Sequence, residues 1–68
     1  MVIVNGKPEL NETNKTAKVS LFADSQGEVT SEMTIVGMPA GYELAPGSSC
    51  LTADKDFGML DSLGVWHW

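Results

Sequence analysis

Arginine is missing from this 68-residue sequence, and cysteine and histidine occur once each, as Cys50 and His67. A lone cysteine cannot close an internal disulfide, so the cross-links that hold many small secreted domains are excluded. One thiol and one imidazole also fall short of the four ligands of a structural zinc site, so neither a metal nor another cofactor is expected. Four lysines stand against nine carboxylates, giving a net charge of −5 and a pI near 4.4. Such a chain has little with which to displace phosphate counterions, which disfavours direct binding of nucleic acid. Mimicry of DNA by carboxylates is disfavoured too, because the nine acids are scattered and form no stripe. No apolar run approaches the roughly 18 residues a membrane helix needs, and Met1-Val2-Ile3-Val4-Asn5 carries neither a basic nor a long apolar segment. No membrane partner and no secretion signal are expected.

What is present suffices for folding. The apolar fraction is 43% and the mean hydropathy −0.02, above the range of chains too polar and too charged to collapse. A chain this short nevertheless buries only about 60% of the surface its unfolded form exposes, and its core supplies a few kcal/mol at most. With disulfide and zinc removed, burial against other chains is the remaining means of support, so oligomerisation is expected to complete the fold.

Turn residues and alternation divide the chain as one all-β domain over residues 1–68. Met1 to Val4 is a short β-branched run ending in Asn5-Gly6, a dipeptide suited to a type I′ hairpin turn, so residues 1–18 read as a hairpin or an arm. Lys15 to Ala23 alternates, with Ala17, Val19, Leu21 and Ala23 on one face and Phe22 the apolar exception on the other. After the turn at Asp24-Ser25-Gln26-Gly27, a second strand is predicted over Ser31 to Gly37. Residues 37–47 hold five Gly or Pro among eleven and read as a long ordered loop, packed on the domain through Met38, Tyr42, Leu44 and Ala45. Ser48 to Ala53, Phe57 to Leu60 and Gly64 to Trp68 form the closing strands, with Trp66 and Trp68 on one face and Val65 and His67 on the other. No segment shows helical apolar spacing. The expectation is five or six short antiparallel strands in a sandwich, an open barrel or a meander.

Catalytic and metal-binding patterns are weak. Asp54, Asp56 and Asp61 suggest a calcium loop, but the positions where an EF-hand needs an oxygen ligand, Gly and Glu hold Gly58, Met59 and Val65. Turn aspartates bonding to the backbone explain these residues sufficiently. Cys50 with His67 is the only thiol–imidazole pair, yet Cys50 sits in a strand with no neighbouring cation to lower its pKa. Ser48 and Ser49 lie outside any Gly-x-Ser-x-Gly elbow. The two Asn-x-Thr patterns, at Asn11 and Asn14, carry no meaning without a signal peptide. No catalytic residue is assigned, and the chain is expected not to be an enzyme.

Trp66, Trp68 and Tyr42 are the most informative residues that remain. Two indoles on one face of a terminal strand can fill the core, anchor a protein interface or stack on a sugar. A core this small can rarely spare them, and a free sugar platform would leave both rings exposed, which ranks it third. The interface candidates are Trp66, Trp68, Tyr42, Met38, Leu44 and Phe22.

The second half of the chain also carries a resemblance. Leu21-Phe22-Ala23-Asp24, Ile35-Val36-Gly37-Met38-Pro39-Ala40-Gly41-Tyr42, Leu44-Ala45-Pro46-Gly47-Ser48, Leu51-Thr52-Ala53 and Gly58 to Trp68 are similar to small proteins encoded among the virion structural genes of tailed bacteriophages. The similarity covers roughly residues 19–68 and rests mainly on turn formers and aromatics. It implies a virion component assembled in the host cytoplasm, an accessory piece of capsid, connector or fibre. Its partners would be further copies of itself or a phage capsid, connector or tail protein. Two other classes fit the residues: a small inhibitor of a host protein that presents the Gly/Pro loop, and a carbohydrate-binding decoration using Trp66 and Trp68.

Overall fold

A computed structural model describes all 68 residues. The chain is all-β, with 47% of residues in strands and no α-helix, in one open sheet. In chain order the strands are β1 (Val2–Asn11), β2 (Thr16–Ala23), β3 (Ile35–Val36), β4 (Glu43–Leu44), β5 (Ser49–Thr52), β6 (Phe57–Leu60) and β7 (Trp66–His67), with a single 3₁₀ turn at Gln26–Glu28. Their spatial order is β3-β1-β2-β5-β6-β7, and β4 pairs with the first residues of β2 beside β5.

The β1–β2 hairpin does not turn at Asn5-Gly6. Its turn is at residues 12–15, where the Asn11 side-chain oxygen accepts from the Thr13 and Asn14 amides and Lys15 takes a φ of 55°. Asn at a turn start bonds the backbone ahead of it and fixes that reversal. Asn5-Gly6 instead opens a bulge: the ladder jumps from Asn5↔Ser20 to Glu9↔Lys18, two extra residues on β1. An even insertion leaves the inward and outward faces unchanged, so Val4 still sits opposite Leu21. Residues 1–18 are thus the hairpin's first strand, its turn and the start of its second, paired on either side of the bulge.

Pairing is mixed. β1–β2, β5–β6 and β6–β7 are antiparallel, whereas β1–β3, β2–β4 and β2–β5 are parallel. The parallel pairs arise because the chain leaves the end of β2, crosses one face of the sheet over residues 24–48, and returns to run beside β2 in the same direction. The strand predicted over Ser31 to Gly37 shortens to β3, which clips this crossover to β1. The 37–47 loop contains β4, which clips it to β2.

The crossover serves as the second layer. Val2, Ala17, Val19, Leu21, Ala23 and Cys50 form the buried cluster on the covered face, and Val29, Met33, Ile35, Met38, Tyr42 and Leu44 from the crossover pack on it, joined by Val4 and Trp66. The small side chains of Ala17, Ala23 and Cys50 let an irregular segment approach where a helix would otherwise lie. Ser48 closes the gap between β4 and β5: it is fully buried, accepts from the Val19 amide at 3.2 Å and donates to the Ala45 carbonyl at 2.7 Å. Only ten of the 68 residues are buried, which is the small core the length implied.

Candidate interaction surface

The sheet's two faces differ in cover. On the inner face the row Val4–Leu21–Cys50–Gly58 runs across four strands, and its side chains shrink from Leu21 toward β6. Trp68 fills the space left over Gly58, and Trp66, opposite Leu60, stacks beside it with ring centroids 6.0 Å apart. Trp66 is half-buried against the core, while Trp68 is 44% exposed.

Met33, Met38, Tyr42, Leu44, Leu60 and Trp66 border an open cleft of about 430 Å³ between the crossover and β6–β7, with Thr30, Ser31 and Glu43 also on its wall. Four of the six interface candidates, Trp66, Tyr42, Met38 and Leu44, therefore meet at one place. They serve mainly as packing for the covered face. Lys15 sits over the Tyr42 ring, 5.5 Å from its centroid.

Phe22 belongs to the other face, which nothing in the chain covers. There the ladder sets Val36, Ile3, Phe22, Leu51 and Phe57 side by side across β3, β1, β2, β5 and β6. A five-strand row spans about 19 Å at the usual strand spacing. Each of the five is 38–56% exposed, as is Met59 in the adjoining row. That second row reads Asn5, Ser20, Ser49, Met59 and His67, and neither row contains a carboxylate or a lysine.

At roughly 180 Å² for a large apolar side chain, the six leave on the order of 500 Å² of contiguous apolar surface, the upper range for a whole monomer. Against a total accessible surface of 4482 Å² this is about a tenth, the share a small protein commits to a standard interface.

Of the six interface candidates only Phe22 lies in this row; Ile3, Val36, Leu51, Phe57 and Met59, exposed beside it, are not among them. The signal for Ile3 was legible: Val2-Ile3-Val4 is an unbroken apolar run, the mark of a strand covered on both faces rather than one. Leu51, Phe57 and Met59 became visible as a patch only once register placed them beside Phe22.

The one thiol and the one imidazole are not brought together. Cys50 points into the covered face and burial pushes its thiol pKa up, whereas His67 lies on the open face, so the sheet separates the two. His67 Nε2 instead lies 2.5 Å from Asp61 Oδ2, while Asp61 Oδ1 accepts from the Leu63 and Val65 amides at 2.8 Å. Contact with the imidazole, then the Val65 and Leu63 amides, holds the Asp61 carboxyl below its ordinary value of 3.8. Asp61 thus caps the β6–β7 turn. Asp24 and Glu28 bond the Met1 amino group. No group of three or more His, Cys, Asp or Glu is placed to hold a metal ion. A scan against protein-family models and searches of curated proteins and solved structures find nothing that matches this chain.

Proposed function

We propose that this chain is a non-enzymatic structural protein that works by burying the open face of its sheet against another protein surface. The observation that carries the reading is the uncovered apolar row Val36–Ile3–Phe22–Leu51–Phe57. Leaving it in water forgoes roughly 25 cal/mol for every Å² a partner would cover, a large amount beside the stability of a domain with so small a core. The setting the sequence resemblance implies is a tailed-phage particle, where the chain would be a capsid accessory, connector or fibre piece.

Binding through the sheet's edges is less favoured. β3 and β7 have two residues each, and the edge of β1 beyond its pairing with β3 carries a bulge with Lys7 and Pro8, features that discourage strand addition. The test is the size of the chain recovered under native conditions from its own source, wild type against L51E. A complex in the wild type and a free 7.3 kDa chain in the variant are expected. A free chain in both would overturn the reading.

A further inference from the structure

Resting on that reading, we infer that the surface covering the open face is a second copy of this chain, packed face to face about a two-fold axis running along the strands between β2 and β5. Three observations point to a copy of itself.

Charge comes first. The chain carries −5, yet the two central rows of the face hold no carboxylate and no lysine, and the Glu9 and Lys18 of the next row are cross-strand partners of opposite sign, so two copies meet without opposing like charges at the centre of the contact. The second is area. Two faces of on the order of 500 Å² bury about 1,000 Å² of apolar surface before any rim is counted, which reaches the size that distinguishes a specific interface.

The third is closure. An isologous contact uses the same patch on both copies and ends at two, and the blunted edges leave no route to an open chain of strands. About the proposed axis Phe22 lies over the partner's Leu51 and Ile3 over the partner's Phe57, so a bulky side chain meets a smaller one at each crossing. Sheets packed this way lie about 10 Å apart.

The experiment uses the purified chain alone. Sedimentation velocity across the micromolar range is expected to show a concentration-dependent species of twice 7.3 kDa. F22K and L51E should each dissociate it at least about tenfold more readily, as loss of a central contact implies. Because Phe22 faces the partner's Leu51, mixing the F22K and L51E proteins should restore a heterodimer that neither forms by itself. Unchanged tryptophan emission verifies the fold of each variant, since Trp66 lies on the covered face and Trp68 above Gly58.

A purified chain that stays monomeric, or a dimer indifferent to both substitutions, overturns the inference. If the purified chain is monomeric while the native complex persists and responds to L51E, the partner is a different protein and the proposed function stands. If no complex appears in either setting, both fail.

Discussion

The Trp68 indole occupies the space in which any side chain at residue 58 would stand: a Cβ built on Gly58 would lie 2.7 Å from Cε3 of the ring and 2.9 Å from Cδ2 and Cζ3. Glycine there is a packing requirement and not a turn requirement, since its φ is not positive. G58A should therefore expel the indole and break its stack on Trp66. Overpacking of this kind costs about 1–3 kcal/mol. We expect a lower urea midpoint and a red-shifted tryptophan emission, and an unshifted spectrum would refute the seating of Trp68.

Ser48 supplies a second sensitive point. Its hydroxyl receives the Val19 amide opposite the β1 bulge and returns a bond to the Ala45 carbonyl, tying the β4–β5 break to β2. S48A keeps the volume nearly constant but orphans a buried amide, which costs about 1–3 kcal/mol. Equilibrium unfolding measures the loss, and exchange of the Val19 amide should quicken. A stability equal to wild type would show that water or a shifted backbone replaces the hydroxyl.

How much was legible in the sequence depended on locality. The alternation of Ala17, Val19, Leu21 and Ala23 gives β2 and its buried face directly, and the turn residues around Asp54 and Asp61 bound β6 at Phe57–Leu60. Asn5-Gly6 misled because a dipeptide that accepts positive φ serves a bulge as well as a hairpin turn; only Gly6 takes it here, with φ 86°. The parallel pairing of β2 with β5 left no local trace, being decided by a crossover of 25 residues. For the same reason Trp66 and Tyr42 could be picked out by type, while the open face could not: it exists only through the register of strands far apart in the chain.

Acid should loosen the β6–β7 turn before it does much else there. Asp61 has a folded-state pKa below its ordinary 3.8, so its contribution is complete above that value and is lost as pH falls through the lower folded value. The Leu63 and Val65 amides then lose a charged acceptor. We expect their exchange and chemical shifts, followed by NMR, to change in that acidic window in wild type. D61N, which keeps an oxygen at the same place without the titration, should flatten the response, and an equal acid response in D61N would assign the change to another group.

Salt gives the proposed pair a signature of opposite sign to an ion-paired interface. Bringing two copies together doubles a charge of −5, and although the facing rows hold no carboxylate and no lysine, the carboxylates around them still repel across the assembly. Screening shortens from about 10 Å at 0.1 M to about 3 Å at 1 M, so that repulsion fades while apolar burial does not. Dimerisation followed by sedimentation should thus strengthen, by a few-fold in Kd, as sodium chloride rises over this range. L51E should steepen the dependence, because it places a carboxylate near its own counterpart beside the two-fold axis. Weakening of the wild-type dimer by salt would mean that charge pairs hold the copies together, and the apolar row Val36–Ile3–Phe22–Leu51–Phe57 would then not be what joins them.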